Sequence, residues 1–377
     1  ALALFNSETG EQYSLQCAAL FENAVKDGLY LFDQDEASIE FSGITAKPVV
    51  SLLRNFSAPV NLDFNYSDEE LAFLIQYETN GFNQWQAAQT LLERILLNGH
   101  EAHVYIAAIK NTLPQLVEKD PLLASRLFDV PTEGYLGSRI DQDYSPVTIQ
   151  EQRNALLNTL ARELGSFCKD TYLALDPLIQ TEFSQAMGVR ALKNIMLNML
   201  ARQGNTLAFD LAEEQYITTG NMSERLGALK VLVWNDAPQA QAVLADFYDR
   251  FKDEALALDQ WFMVQASHPK ATAATIEYLT SHPDYDLGTP NRIRAVSGGL
   301  NANPVNTWGF GVQHFIDLAK YLDKKNPIVG ARLLQALSRW YTLAEAQRTE
   351  VKNALEALTT EVSSKNVVET LKSMLSI

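Results

Sequence analysis

The sequence predicts a mainly α-helical protein, a right-handed HEAT/armadillo-like superhelix preceded by a small, partial β-sandwich. Three observations predict this fold class. Apolar and polar residues alternate up to about residue 66, the period changes to that of amphipathic helices at Ser67, and five polar-proline pairs mark helix starts after it. We therefore predict a β domain over residues 1–60 and a helical domain over residues 61–377.

Period-two patterns indicate the strands of the β region. Ala1–Phe5 resembles the middle of a strand, and apolar residues alternate with polar ones over Tyr13–Cys17 and Val60–Tyr66. Ile39–Phe41 is a further short strand candidate, and turn formers such as Asn6–Gly10 lie between the patterns. We expect half-buried strands in a thin, incomplete sheet. A chain that opens inside a strand, without methionine, is expected to be part of a longer protein.

Capping signals mark the helices. Ser67 and Glu70 form a capping-box pattern, so a helix is expected to start there. Asn83 is the expected cap of the next helix, which ends at Asn98-Gly99. Each polar-proline pair offers a capping side chain followed by a proline suited to the first helical position. The pairs are Asp120-Pro121, Asp176-Pro177, Thr289-Pro290, Asn303-Pro304 and Asn326-Pro327. Their uneven spacing indicates helical repeats without a fixed period.

Composition excludes several classes of protein. The 377-residue chain is 47% hydrophobic and 20% charged, and no apolar run approaches the ~20 residues that span a bilayer, which argues against a membrane protein. A net charge of −16 disfavours nucleic acid as a partner, because such binding needs clusters of Lys and Arg. Cys17 and Cys168 lie outside any CxxC pattern, so we expect a reducing cytoplasm. A buried, inert Cys168 is favoured over a reactive thiolate near a helix start.

The sequence contains no motif for intrinsic catalysis or metal binding. There is no GxSxG, P-loop or GxGxxG motif, and neighbouring carboxylates are expected to form solvated helical faces. His100 and His103 are three residues apart, whereas the zinc motif HExxH needs four, so a surface or capping role is favoured over metal binding. His268, His282 and His314 lie far apart, and the first two are expected in solvated turns.

Several arginines stand at helix starts, where the helix dipole favours acidic residues instead. The segment Thr289–Arg294 places Arg292 and Arg294 in or just after a first turn, and Arg332 follows the start at Asn326-Pro327. One interpretation is an intramolecular salt bridge to one of the 46 acidic residues. The other is that Arg294 and Arg332 face an anion in a channel, because a guanidinium group matches both oxygens of a carboxylate.

Six short motifs also recur in the order known from one protein family. They are Phe56–Val60, Trp85–Gln89, Asn221–Ser223, Asp259–Phe262, Pro290–Arg294, and Asn326-Pro327 with Arg332. Together they cover nearly the whole chain and resemble the C-terminal region of bacterial aminopeptidase N, in the zinc metallo-aminopeptidase family. That region comprises the end of a small β-sandwich domain and the helical C-terminal domain.

The resemblance implies the end of a four-domain enzyme. The zinc-binding HExxH motif and the GAMEN motif of the family belong upstream, so neither zinc nor another cofactor is expected to bind this chain. In the family the helical domain caps the active site and admits short peptides, and Arg294 and Arg332 match two arginines on the primed side of the substrate channel. The segment Thr307–Val312 departs from a Gly-Ser-Gly-Tyr stretch of the family, so no role of that tyrosine is carried over.

Two functional hypotheses remain open. The first is a non-catalytic C-terminal domain of a cytoplasmic zinc aminopeptidase, whose partners are the upstream catalytic domain of the same polypeptide and peptide substrates. The second is a free-standing HEAT-like scaffold that binds proteins on a concave acidic face. An upstream HExxH motif in the same reading frame would separate them, because only the first hypothesis requires it.

Overall fold

The computed structural model describes residues 1–14, 16–17, 24–25, 29–30, 35–175, 183–204 and 206–376. The chain divides into two compact units. The first consists of Ala1–Pro131 and Leu173–Ile195, and the second of Thr132–Tyr172 and Met196–Ile377. A small β region precedes a long series of helices, so the predicted mainly α fold class is confirmed.

The β region belongs to the first unit. In chain order its strands are β1 (Leu2–Asn6), β2 (Gln16–Cys17), β3 (Ala24–Val25), β4 (Leu29–Tyr30), β5 (Phe41–Ser42) and β6 (Pro48–Leu52). The described residues form three antiparallel pairs, β1 with β6, β2 with β5 and β3 with β4. Ala3, Leu4 and Phe5 are buried, so the strand predicted at Ala1–Phe5 is confirmed. The strand predicted at Ile39–Phe41 is shifted onto β5, and Leu15 of the Tyr13–Cys17 pattern lies outside the described residues.

The prediction of a half-buried strand over Val60–Tyr66 is wrong. The chain there lies outside any strand, and Val60, Leu62 and Phe64 are 59%, 48% and 43% exposed. Alternation of apolar and polar residues requires a covering surface on the apolar side before it produces half-burial. Within the described part of the chain, neither a partner strand nor a packed helix covers these three side chains.

Nineteen α-helices occur in the described residues. In chain order they are α1 (Asp68–Tyr77), α2 (Gly81–Asn98), α3 (Ala102–Lys119), α4 (Pro121–Arg126), α5 (Glu133–Ser138), α6 (Pro146–Glu163), α7 (Gly165–Leu175), α8 (Phe183–Ala201), α9 (Thr206–Thr218), α10 (Met222–Trp234), α11 (Ala240–Phe251), α12 (Ala255–Ala266), α13 (Ala273–Thr280), α14 (Pro290–Asn301), α15 (Pro304–Trp308), α16 (Gly311–Asp323), α17 (Pro327–Leu334), α18 (Glu345–Thr359) and α19 (Lys365–Leu375). None of the described helices is both long and apolar enough to cross a membrane.

The first two helices begin through side-chain caps. Ser67 accepts a hydrogen bond from the Glu70 amide at 3.1 Å, and the Glu70 carboxylate accepts one from the Ser67 amide at 2.9 Å, so the predicted capping box is confirmed. The cap predicted at Asn83 is wrong. Asn80 caps α2 one turn earlier, and its side chain accepts the hydrogen bond of the Asn83 amide at 3.1 Å. Gly99, with φ +72°, ends α2 as predicted.

Most of the polar-proline pairs start helices in the predicted way. In four of the predicted pairs the proline is the first residue of a helix, namely α4, α14, α15 and α17. The side chains of Asp120, Asn303 and Asn326 cap their helices, whereas the Thr289 hydroxyl donates to the Asp286 carboxylate at 2.6 Å instead. Asp176-Pro177 lies outside the described residues. A further pair, Ser145-Pro146, starts α6 by the same means.

Helices of the second unit pack mainly on neighbours in the chain. The helix pairs α9–α10, α12–α14 and α16–α17 are in extensive contact. Ile293 of α14, Leu318 and Leu322 of α16, and Val329 of α17 form one buried cluster. This cluster connects the helix that carries Arg294 to the helix that carries Arg332.

Loss of the capping box should be measurable in the isolated chain. We expect Ser67→Ala to lower the free energy of unfolding by about 1 kcal/mol, because the Glu70 amide loses its acceptor. Ser373→Ala, an exposed helical serine, is the control and should leave stability unchanged or slightly raised, since alanine is the better helix former. Urea denaturation checks both variants, and equal midpoints would contradict the assigned cap.

Candidate functional site

The histidine pair His100 and His103 lies at the surface between α2 and α3. His100 Nδ1 is 2.6 Å from the Asp68 carboxylate, which also accepts a hydrogen bond from Arg94 at 2.9 Å. His103 stands in the first turn of α3, with 77% of its side chain exposed and 3.7 Å from Glu101. The two rings therefore have separate carboxylate neighbours and do not share a ligand position.

The other histidines are less exposed than their sequence positions predict. His268 and His282 have side chains only 14% and 15% exposed, so the expectation of solvated turns is wrong. His268 pairs with Asp236 at 3.1 Å, and His282 lies among the rings of three aromatic residues. His314 Nε2 and the Ser297 hydroxyl form a hydrogen bond of 3.2 Å, and burial lowers the pKa of the His314 ring. The residues that shield these histidine rings from solvent are distant from them in the sequence.

The described residues do not fit zinc. No group of three or more His, Cys, Asp and Glu side chains among them is arranged to hold a metal ion. Cys168 of α7 is fully buried, and burial raises the pKa of its thiol to about 12, so the thiol stays protonated at neutral pH. This is the inert thiol that the sequence predicts.

Arg292 of α14 forms a buried ion pair. Its Nε donates to Asp259 Oδ1 of α12 at 2.6 Å, and the two side chains are only 8% and 11% exposed. The guanidinium group also lies 4.9 Å from the ring centre of Phe262 and donates to the carbonyl of Asp284. The salt-bridge interpretation therefore holds for Arg292, whose charge opposes the dipole of its own helix.

Further contacts hold the turn before α14 in place. The hydroxyl of Tyr248 donates to the Asp284 carboxylate at 2.5 Å, and His282 packs against the rings of Tyr248 and Trp261 at 5.3 and 5.2 Å. Trp261 Nε1 donates to the carbonyl of Leu244 at 3.0 Å. These contacts connect α11, α12 and the turn before α14 around the Asp259–Arg292 pair.

Arg294 is exposed and borders an open cleft of about 950 Å³. Its Nη1 donates to Asn291 Oδ1 of the same helix at 3.3 Å. The cleft is lined by Met222 and Leu226 of α10, Phe251 of α11, Glu254 before α12, Leu256, Ala257, Asp259, Gln260 and Met263 of α12, and Asn291, Arg294 and Ala295 of α14. Most of this lining is apolar, and Arg294 is its one cation among the described residues.

The electrostatics of the cleft favour an anion beside Arg294. Met222 is the first residue of α10, Leu256 the second of α12 and Asn291 the second of α14, so all three helices begin at the cleft. The free amide groups at helix starts carry partial positive charge. Of the two carboxylates in the lining, Asp259 is neutralised by Arg292 and Glu254 is solvent-exposed. A carboxylate attached to an apolar group is the kind of ligand that this arrangement can bind.

Three of the motifs that the sequence singles out meet in this cleft. They are Asn221–Ser223, Asp259–Phe262 and Pro290–Arg294. The Asn221 side chain caps α10 by accepting from the Ser223 amide at 2.9 Å, which places Met222 at the rim. Sequence reasoning did not identify Asp259 as the partner of Arg292, although it lay within a quoted motif.

Arg332 stands apart from the cleft lining. It is exposed on α17, one turn after the buried Val329, and it is absent from the lining residues described above. The departing segment Thr307–Val312 spans the end of α15 and the start of α16, and the buried Trp308 accepts a hydrogen bond from Gln347 at 2.7 Å through its carbonyl. The structure thus brings Arg294, and not Arg332, to the cleft.

Comparison with protein families identifies both parts of the chain. A model described as a domain of unknown function (DUF3458_C) with ARM repeats matches residues 68–376. A second model, described as a domain of unknown function (DUF3458) with an Ig-like fold, matches residues 1–65. These descriptions agree with the predicted armadillo-like helices and the preceding β-sandwich.

Relatives of the chain are bacterial aminopeptidases. Aminopeptidase N of Escherichia coli is 31% identical over 345 residues, which are 86% of this chain and 39% of the relative. Aminopeptidase N of Haemophilus influenzae is 29% identical over 370 residues, with 93% and 42% covered. The crystal structure of Legionella pneumophila aminopeptidase A in complex with aspartic acid matches with a TM-score of 0.81 at 25% identity, covering 100% of this chain and 45% of that chain. The chain thus spans about two fifths of the length of these curated relatives.

Loss of the ion pair of Arg292 should lower stability far more than loss of the Arg294 side chain. We expect Asp259→Asn to lower the free energy of unfolding by about 3 kcal/mol, because Arg292 keeps a buried charge without a counter-ion. Arg294→Ala should change it by less than about 0.5 kcal/mol, because that side chain is exposed. Urea denaturation of the chain measures both, and a larger loss from Arg294→Ala would reverse the assigned roles.

Proposed function

This chain belongs to the DUF3458_C family of ARM-repeat domains and corresponds to the C-terminal region of bacterial aminopeptidase N, and from this we propose its function. It is the non-catalytic C-terminal part of a zinc aminopeptidase that removes N-terminal residues from peptides. Its helices cap the active site and restrict which substrates enter. The zinc-binding motif and the catalytic groups lie in the upstream domain of the same polypeptide.

The observation that carries the proposal is the exposed guanidinium group of Arg294 at the rim of an apolar cleft. Arg292 is neutralised within the protein, which leaves Arg294 as the cation that a ligand meets. A planar guanidinium group binds both oxygens of a carboxylate at once. A peptide held in the active site by its N-terminal amine would present its own C-terminal carboxylate, or an acidic side chain, to this arginine.

Further parts of the proposal concern Arg332, domain organisation and location. Arg332 borders the same substrate channel from α17 once the upstream domain completes it. The β-sandwich part ends near residue 60 and the helical domain extends from 61 to 377. The enzyme acts in the cytoplasm, where the reducing environment suits Cys17 and Cys168. The chain itself binds no cofactor, and its partners are the upstream domain and peptide substrates.

Assay of the isolated chain and of the longer protein tests the division of labour. We expect the longer protein to hydrolyse alanyl and arginyl chromogenic substrates and to lose this activity to a metal chelator. The isolated chain should hydrolyse neither substrate. Metal-dependent hydrolysis by the isolated chain would contradict the proposal, and a reading frame without an upstream HExxH motif would favour the HEAT-like scaffold instead.

The role of Arg294 is tested by kinetics of the longer protein. We expect Arg294→Ala to raise KM for peptides with a free C-terminal carboxylate by about tenfold, the loss typical of a charge-assisted hydrogen bond. Peptides with an amidated C-terminus should be affected much less. Arg332→Ala should act in the same direction, and Arg162→Ala, at an arginine that is 70% exposed on α6, is the matched control. Unchanged kinetics with a lowered melting temperature would support a structural role.

A further inference from the structure

An apolar strip on the first unit is largely uncovered by the described residues. It consists of Phe56, Val60, Leu62 and Phe64, whose exposed fractions are 69%, 59%, 48% and 43%. We call these four residues the uncovered strip. The last three members are two residues apart in the sequence, and all three side chains are exposed. Large apolar side chains exposed together mark a contact surface.

The backbone before the strip is held in an unusual conformation. Leu53, Asn55 and Phe56 have positive φ angles of 56°, 58° and 53°, in the left-handed region that residues other than glycine rarely adopt. The Asn80 side chain donates to Asn55 Oδ1 at 2.6 Å. Such a conformation persists only where surrounding contacts enforce it.

A buried ion pair enforces this conformation. Arg54 Nη2 donates to Glu78 Oε1 at 2.8 Å and to the Thr79 hydroxyl at 2.7 Å, and the Glu78 side chain is fully buried. The same carboxylate oxygen accepts from the Asn80 amide at 2.7 Å. The residues just before the strip are thus held to the loop between α1 and α2.

The first residue of the strip, Phe56, lies next to aromatic residues of α2. The Phe56 ring lies 4.0 Å from that of Phe82, which is 5.7 Å from Trp85. Phe82 and Trp85 line a cleft of about 400 Å³ together with Leu122 and Leu123. The two motifs Phe56–Val60 and Trp85–Gln89, which have no part in the Arg294 cleft, therefore meet here.

The main chain of the strip lies outside the sheets, and within it the Phe64 carbonyl accepts the Tyr66 amide at 3.1 Å. The structure places residues 59–65 outside any strand, and no strand of the described chain pairs with them. A segment outside the sheets can pair with the edge of a sheet in another domain when the two dock. The alternating sequence of Val60, Leu62 and Phe64 is that of a half-buried strand, so the sequence carries a burial pattern that the described part of this chain does not satisfy.

We propose that the uncovered strip is the docking surface for the part of the longer protein that lies outside this chain. The inference rests on the proposed function, in which that part is the catalytic domain. This chain covers only 39% to 45% of the relatives that it matches, so more than half of such a protein is available to contact it. A second copy of the chain fits less well, because it would bring the exposed Asp63 within the strip and Glu69 after it close to their own copies.

Hydrogen exchange tests the proposal directly. The amides of residues 60–65 should exchange about tenfold or more slowly in the longer protein than in the isolated chain. Equal rates in the two proteins would overturn the proposal. Slow exchange in the isolated chain that depends on its concentration would also overturn it, because a second copy would then be the cover.

A matched pair of substitutions supplies an independent test. Leu62→Asp should leave the melting temperature of the isolated chain unchanged and should lower that of the longer protein by about 2 °C or more. Val147→Asp is the control, because Val147 is 50% exposed against 48% for Leu62 and lies at the second position of α6, where Asp is favourable. Equal effects of the two substitutions in the longer protein would contradict the docking surface.

Aminopeptidase assays on the same longer protein separate this inference from the proposed function. Zinc-dependent activity with unprotected amides at 60–65 would refute the docking surface and leave the function intact. Protected amides in a protein without aminopeptidase activity would refute the function and leave the docking surface intact.

Discussion

The buried ion pair between Asp259 and Arg292 is the interaction on which the candidate site depends. It joins α12 to α14 and at the same time neutralises a cation that opposes the dipole of its own helix. It also cancels a carboxylate in the wall of the cleft. Since these two charges satisfy each other, the charges left in the described lining are the cation of Arg294 and the exposed carboxylate of Glu254. One contact thus sets both the geometry and the charge of the site.

The sequence located these arginines and left their roles open. Residues two apart on a helix point in nearly opposite directions, so Arg292 and Arg294 were bound to face different surroundings. Which of them faces the protein depends on where α12 packs. Asp259 lies 33 residues before Arg292, and no local pattern links them. Whether Arg332 is exposed, and whether it reaches the cleft lining, likewise depends on packing between helices.

Local signals predicted the fold better than they predicted burial. The capping box at Ser67 and the proline at the start of α14 act over one helical turn, so a few residues suffice to recognise them. Asn80 and Asn83 both precede the same apolar series. Which of them caps α2 depends on the conformation of the chain that leads into the helix. The alternating pattern at Val60–Tyr66 and the turn residues around His282 indicate only whether a side chain could be buried or exposed. Whether it is buried depends on neighbours distant in the sequence.

The strands and the first helices share one interior. Phe5 of β1 packs edge-on against Phe73 of α1 at 6.3 Å, and Asn83 of α2 donates to Ser51 and to the carbonyl of Leu52 in β6. The two family models, by contrast, meet between residues 65 and 68. Cleavage or recombination at that junction would divide a single hydrophobic core, so helical domains exchanged between relatives would retain their fold only when the strands are transferred with them.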